Sequence, residues 1–122
     1  MVTILIVDDH PLTRTVINRR LEKEGFNVLE ADNGTIGVEL LRANDVDLVL
    51  LDFMMKNMNG MQTFDQMKFF KPKVPYIMIT AYAHPELVKQ FMKEGGAEFL
   101  VKPLRQDFEQ RIKEVLIKHQ NN

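Results

Sequence analysis

The strongest constraint on this chain is a strict alternation of two hydrophobic rhythms. Five runs are of strand length: Thr3-Ile4-Leu5-Ile6-Val7, Asn27-Val28-Leu29-Glu30, Asp47-Leu48-Val49-Leu50-Leu51, Tyr76-Ile77-Met78-Ile79 and Glu98-Phe99-Leu100-Val101. Several are continuously apolar, which suits strands of a parallel sheet covered on both faces. The second is the weakest and reads as an edge strand. Between and after them, helical spacing runs through Leu12, Val16, Ile17 and Leu21, then Ile36, Leu40 and Leu41, then Met61, Phe64 and Met67. It continues through Leu87, Val88, Phe91 and Met92, and through Leu104, Phe108, Ile112, Val115 and Leu116. Parallel neighbours need right-handed helical crossovers that cover both faces. The pattern therefore predicts an α/β fold, a doubly wound (βα)5 three-layer sandwich. Gly25, and Gly95 with Gly96, stand just past two helical segments, where a residue free to adopt positive φ is wanted.

Composition narrows the rest. At 122 residues the chain has the length of one domain, expected to span 1–122. The absence of cysteine excludes a disulfide framework, a thiolate zinc site and a cysteine nucleophile. A net charge of −1 provides no broad basic surface for nucleic acid. No apolar run approaches the ~20 residues of a membrane helix. No Lys or Arg precedes Arg14, so the N-terminus lacks the charge order of a secretory signal, and the expected location is cytoplasmic. The closing Gln120-Asn121-Asn122 reads as a frayed polar end.

The residues that end the apolar runs carry the chemistry. Run one ends in Asp8-Asp9, run three in Asp52, run four in Thr80 and run five in Lys102. In open parallel sheets, ligands bind outside the carboxyl ends of the strands, where the winding reverses. With strand order 2-1-3-4-5, strands one and three adjoin there, and Asp8, Asp9 and Asp52 converge. Carboxylates 4 Å apart repel by about 4 kcal/mol per pair at an effective dielectric of ~20. A proton or a hard divalent cation held by oxygen ligands relieves this, with Mg²⁺ favoured where a phosphate completes its shell, and Lys102 adds a compensating charge. Such a carboxylate is a competent phosphoryl acceptor, and Thr80 could donate its hydroxyl to the arriving group. Each residue also has an ordinary reading: Asp8-Asp9 as a helix cap, Asp52 as a turn former, Thr80 as a cap and Lys102 before Pro103 as a loop lysine.

At these residues the chain resembles a response-regulator receiver domain of two-component signalling, of the CheY-like superfamily, over residues 2 to 119. The motifs are Val7-Asp8-Asp9-His10, Leu51-Asp52 followed by Met58-Asn59-Gly60, Ile79-Thr80-Ala81 and Phe99-Leu100-Val101-Lys102-Pro103. The resemblance implies that Asp52 takes a phosphoryl group, in a Mg²⁺-dependent reaction, from a histidine kinase, a histidine phosphotransfer protein or a small phosphodonor. It implies Asp9 as a direct Mg²⁺ ligand, Asp8 near the ion and often acting through water, and Asp52 and the Met54 main-chain carbonyl completing the set. Lys102 matches the lysine that contacts the phosphoryl group, Thr80 the hydroxyl that moves toward it, and Phe99 the aromatic switch. The surface around Leu87 to Glu94, the fifth strand and the last helix is where such domains meet partners, including in phosphorylation-dependent dimers. Apart from accepting and losing its own phosphoryl group, such a domain is not an enzyme.

Lys56 stands where the family commonly has proline. Met54 and Tyr82 match two variable positions flanking the path of the hydrolytic water, and their bulk predicts slow self-dephosphorylation. Five of the eight methionines lie between Met54 and Met67, as a soft docking patch or, favoured here, as core of the third helix. His10, His84 and His119 are too dispersed for a metal set and suit capping or surface roles. Lys68, Lys71 and Lys73 read as a solvated basic loop. A nucleotide- or flavin-binding fold would want a glycine-rich loop after strand one, and Asp8-Asp9-His10-Pro11-Leu12-Thr13 contains none. An aspartyl-phosphate phosphohydrolase would place an acid at position 54. The remaining alternatives are a receiver fragment of a longer transcriptional regulator and a degenerate receiver that binds partners without phosphorylation.

Overall fold

The computed structural model describes residues 1–120; Asn121 and Asn122, which close the expected polar end, lie outside the described residues. Five strands, β1 (Thr3–Val7), β2 (Asn27–Ala31), β3 (Leu48–Leu51), β4 (Tyr76–Thr80) and β5 (Glu98–Val101), alternate with α1 (Pro11–Lys23), α2 (Gly34–Ala43), α3 (Gly60–Phe70), α4 (Pro85–Lys93) and α5 (Phe108–Gln120). All pairings are parallel and the strand order is β2-β1-β3-β4-β5, as the sequence predicts. β2 is an edge strand, with Asn27 and Glu30 exposed, which explains its weak apolar signal.

Successive side chains of a strand point to opposite faces, and each face has its own core. Leu5, Val7, Val49, Leu51, Tyr76 and Met78 pack with Val38, Leu41, Met61, Phe64, Met67, Leu87 and Phe91 under α2, α3 and α4. Ile4, Ile6, Leu48, Leu50, Ile77 and Ile79 pack with Ile17, Leu21, Phe108, Ile112, Val115 and Leu116 under α1 and α5. Continuously apolar strands are required because neither sheet face is wetted. The methionines of α3 take the core role: Met61 and Met67 are buried.

Helix ends follow local chemistry. His10 caps α1 by accepting from the Thr13 amide, and His84 caps α4 by accepting from the Glu86 amide. Asn59 and Gln62 form a reciprocal capping box at α3. Gly25 and Gly95 take φ of +88° and +109° where α1 and α4 end.

Three sequence expectations shift. α5 begins at Phe108, and Leu104 packs against the same core from the preceding loop. Leu12 and Val16 are exposed, because the buried stripe of α1 narrows to Ile17 and Leu21. Lys68 lies on α3 rather than in a loop; its ammonium meets Asp65 and Glu94 and sits 4.6 Å from the centre of the Phe64 ring, tying α3 to the end of α4.

On the opposite face, Arg20 of α1 meets Glu109 of α5 through two 2.6 Å hydrogen bonds and lies over the Phe108 ring. The hydrogen bond from Arg20 holds the Glu109 carboxyl below its ordinary value of 4.5. A depressed folded-state pKa contributes stability above the unfolded value and loses it as pH falls through the folded one. Glu109→Gln should therefore cost up to about 1 kcal/mol at neutral pH. In urea denaturation the difference from wild type should vanish once the pH is well below the unfolded value of 4.5.

Candidate functional site

The sheet's hydrogen-bond ladder runs one residue past three strands and fixes the polar residues that follow. Asp8 donates its amide to Ala31 at 3.1 Å, Asp52 to Val7 at 2.9 Å and Lys102 to Thr80 at 3.0 Å. Asp8, Asp52 and Lys102 thus start from backbone as regular as the strands themselves. A Cβ on Gly60 would stand 2.5 Å from the Asp52 carbonyl oxygen and 2.8 Å from the Phe53 Cα. Only glycine lets the start of α3 lie so close beneath the Asp52 loop.

The Lys102 ammonium donates to Asp8 Oδ2 and to Asp52 Oδ2, each at 2.8 Å. Both carboxylates are largely buried, with side-chain exposures of 3 % for Asp8 and 9 % for Asp52. Burial raises the Asp8 carboxyl above its usual range and the charge of Asp52 adds to this, against the lowering effect of Lys102 and the His10 amide. Burial alone would lower the Lys102 ammonium, but its hydrogen bonds to Asp52 and Asp8 outweigh that and raise it. Lys102 therefore stays charged and supplies the first relief of the carboxylate crowding.

Of the ordinary readings, the turn-forming role of Asp52 holds alongside this cluster, whereas Lys102 belongs to the cluster and the caps of α1 and α4 are His10 and His84. Asp52 Oδ1 accepts from the Met54 amide at 3.2 Å, and Thr80 Oγ1 accepts from the Tyr82 amide at 3.1 Å. Asp9 faces the loop across from β3, where its Oδ2 accepts from the Lys56 amide at 3.3 Å. Asp9, Phe53, Met54, Met55, Lys56 and Asn59 line an open pocket of about 400 Å³. The helix cap weighed for Asp8-Asp9 belongs to His10, whose amide donates to Asp8 Oδ1.

Residues 4–113 match the family described as the response regulator receiver domain. The chain belongs to that family. Among curated relatives, this receiver domain is 37% identical over 102 residues to a cyclic di-GMP phosphodiesterase of Thermotoga maritima, covering 84% of this chain and 27% of that protein. It is 34% identical over 118 residues to the transcriptional regulatory protein ZraR of Escherichia coli K12, covering 97% of this chain and 27% of that one. It thus spans about a quarter of the length of these relatives. Among solved structures, a CheY-like response regulator receiver domain protein from Methanospirillum hungatei superposes with a TM-score of 0.95 at 27% identity, covering 99% of this chain and 98% of that one. The response regulator TrrA of Thermotoga maritima, solved in complex with Mg²⁺-BeF, gives 0.85 at 26% identity, covering 94% of this chain and 99% of that one.

The donor set suits the magnesium that the family binds at its phosphorylation site. Among the described residues no three His, Cys, Asp or Glu side chains are gathered tightly enough to enclose a metal by themselves. Mg²⁺ does not ask for that: it is usually held through one or two carboxylates, with waters and phosphate oxygens completing the shell. The carboxylates of Asp8, Asp9 and Asp52 and the Met54 carbonyl are all hard oxygen donors, and the pocket opens between Asp9 and Met54.

Phe99 lies on the edge strand β5, partly buried, and meets Phe91 edge-on at 6.2 Å between ring centres. Sequence reasoning passed over Arg14, which donates to the Asp8 carbonyl at 2.7 Å and to Glu30 at 3.2 Å, bracing the loop after β1 against β2. It also passed over Phe53, whose ring stacks on Tyr82. The Asn59-x-x-Gln62 box beside the site was readable as a helix start.

Lys102→Met removes the shared cation and leaves the Asp8 and Asp52 carboxylates side by side in a mostly buried setting. A buried charged group deprived of its partner costs about 1–3 kcal/mol or more. Chemical denaturation should show that loss near neutrality. The deficit should shrink as acid protonates Asp8, whose raised pKa gives the folded state the larger proton uptake, with the sign reversed from Glu109.

Proposed function

We propose that this chain is a phosphoaccepting receiver in which Asp52 takes a phosphoryl group from a phosphohistidine donor and thereby alters protein contacts. The observation that carries this reading is the Lys102 ammonium 2.8 Å from an oxygen of Asp52. A side-chain oxygen of Asp52 attacks phosphorus, a P–O bond forms, the P–N bond breaks, and its electron pair leaves with the imidazole. Lys102, already at hydrogen-bond distance, follows the charge onto the phosphoryl oxygens. Thr80, 1 % exposed on the last residue of β4, lies next to β5 and brings a hydroxyl to the same strand ends. Asp9, Asp52 and the Met54 carbonyl would hold Mg²⁺, with Asp8 behind them. When bound, the ion neutralises phosphate charge and orients the oxygens for in-line transfer.

The consequence is a change of surface. As Thr80 turns toward the phosphoryl group it gives up the Tyr82 amide, and the β4–α4 loop and Phe99 move with it. The exposed apolar residues Met92, Val101 and Ile117 lie on α4, β5 and α5, the face proposed for partners and for a phosphorylation-dependent dimer. The donor is a histidine kinase or histidine phosphotransfer protein of the cytoplasm. Among the described residues no helix is long and apolar enough to cross a membrane. The transcriptional relatives favour a second possibility, a receiver segment of a longer regulator.

Incubation with acetyl phosphate and Mg²⁺, read by intact mass, tests the assignment. Wild type should gain one phosphoryl mass, lost on chelation of Mg²⁺ during the reaction, and Asp52→Asn should gain none. Met54 and Tyr82, on the loops after Asp52 and Thr80, are 58% and 45% exposed. Replacing both by small polar residues should shorten the phosphorylated lifetime several-fold. Equal labelling of Asp52→Asn would contradict the assignment.

A further inference from the structure

The loop after Asp52 is closed at its base, where the Phe53 carbonyl accepts from the Gly60 amide at 2.9 Å, and it runs into the Asn59–Gln62 cap of α3. At its tip the chain reverses in a γ-turn. The Met58 amide donates to the Lys56 carbonyl at 2.8 Å around Asn57, which takes φ +70°. Asparagine is one of the few residues besides glycine that adopt this conformation readily. The turn uses the Lys56 carbonyl and fixes that peptide. The Lys56 amide crosses instead to the loop after β1, where it donates to Asp9 Oδ2 at 3.3 Å. Asp9 is half-buried and Lys56 is exposed. A proline at position 56 would have no N–H to give, so this bond exists because the chain carries lysine there.

We propose that Lys56 is a positioning residue for Mg²⁺ through its main chain: its N–H holds the Asp9 carboxylate at the pocket that Asp9 shares with Met54, and so raises the affinity of the site for the ion. This rests on Asp9 and the Met54 carbonyl as ion ligands. Asp9, Met54 and Lys56 line the same pocket, so donor, held carboxylate and second ligand face one space. A carboxylate has about four lone-pair positions on two oxygens, and one donor on Oδ2 leaves the others available. Carboxylates that ligate metals are themselves hydrogen-bonded, and the outer partner sets the orientation of the inner ligand. Without it, a half-buried side chain on a loop loses its rotamer freedom only when the ion arrives, and that cost falls on binding. The exposed Lys56 ammonium acts weakly in the opposite sense, since it repels a cation through screened solvent. Amide and side chain therefore pull in different directions, and substitutions separate them.

Lys56→Ala removes the ammonium and keeps the N–H, whereas Lys56→Pro removes both, so the difference between them isolates the donor. Mg²⁺ is titrated into each unphosphorylated protein by calorimetry, with thermal unfolding in EDTA as the check on folding. Kd should be about tenfold higher in Lys56→Pro than in Lys56→Ala, the lower end of what loss of an outer partner costs a metal site. Lys56→Ala should bind as tightly as wild type or slightly tighter. In an Asp9→Ala background the two substitutions at position 56 should give the same Kd, because the donor acts through Asp9. Wild type supplies a test free of any folding defect: hydrogen exchange of the Lys56 amide, read by NMR, should be no faster with saturating Mg²⁺ than without it. Equal Kd for Lys56→Pro and Lys56→Ala, tighter binding in Lys56→Pro, an undiminished difference in the Asp9→Ala background, or faster exchange on adding Mg²⁺ would overturn the proposal while leaving the phosphoacceptor reading intact. Wild-type Mg²⁺ affinity in Asp9→Ala would remove Asp9 as a ligand, and this proposal with it. Failure of Asp52 itself shows separately, as a wild-type chain that gains no phosphoryl mass.

Discussion

The Lys102 ammonium, 2.8 Å from Asp8 and 2.8 Å from Asp52, joins the carboxyl ends of β5, β1 and β3 at a single point. Buried carboxylates side by side are costly, and a shared hydrogen-bonded cation makes them tolerable in a resting protein. The arrangement also stores a reactive possibility. Asp52 is oriented by the Met54 amide and by Lys102, its side chain keeps slight exposure, and the lysine can transfer its hydrogen bond to an incoming oxygen without moving far. The backbone ladder that continues past the strands makes this reproducible, because it places the side chains before their charges are considered.

Residues that support the loops also serve the proposed chemistry. Asp52 steadies its own turn through the Met54 amide, and Thr80 accepts from Tyr82. Neither polar group waits unpaired, so the proposed activation would exchange hydrogen bonds instead of creating them. An exchange of that kind has a small net free energy, which is what a reversible switch needs. The ring stack of Phe53, Tyr82 and His84 joins the two loops that follow Asp52 and Thr80.

Much of this was legible in the sequence for physical reasons. Strands buried on both faces announce themselves as unbroken apolar runs, so β1 has the predicted limits and β4 extends one residue further to include Thr80; the edge strand β5 also has the predicted limits. Asp8, Asp52 and Lys102 were visible because each interrupts such a run at its carboxyl end. Periodicity misjudged Leu12, Val16 and Leu104, since spacing shows that a stripe is apolar but not how much of it a neighbour covers. The Asp9–Lys56 hydrogen bond, the brace from Arg14 and the ring stack were illegible. Each depends on how loops distant in sequence meet, which strand order alone does not determine.

The central claim is that a phosphoryl group belongs on Asp52, beside Lys102, with Mg²⁺ on the neighbouring oxygens. A crystal structure of this protein grown with Mg²⁺ and beryllofluoride addresses it most directly. The account predicts beryllium bonded to a side-chain oxygen of Asp52, the ion on Asp9 and the Met54 carbonyl, Lys102 donating to fluoride, and the Thr80 hydroxyl turned away from the Tyr82 amide. Density for the adduct at another residue, or an Asp52 still bound to Lys102 with no adduct under saturating conditions, would contradict it.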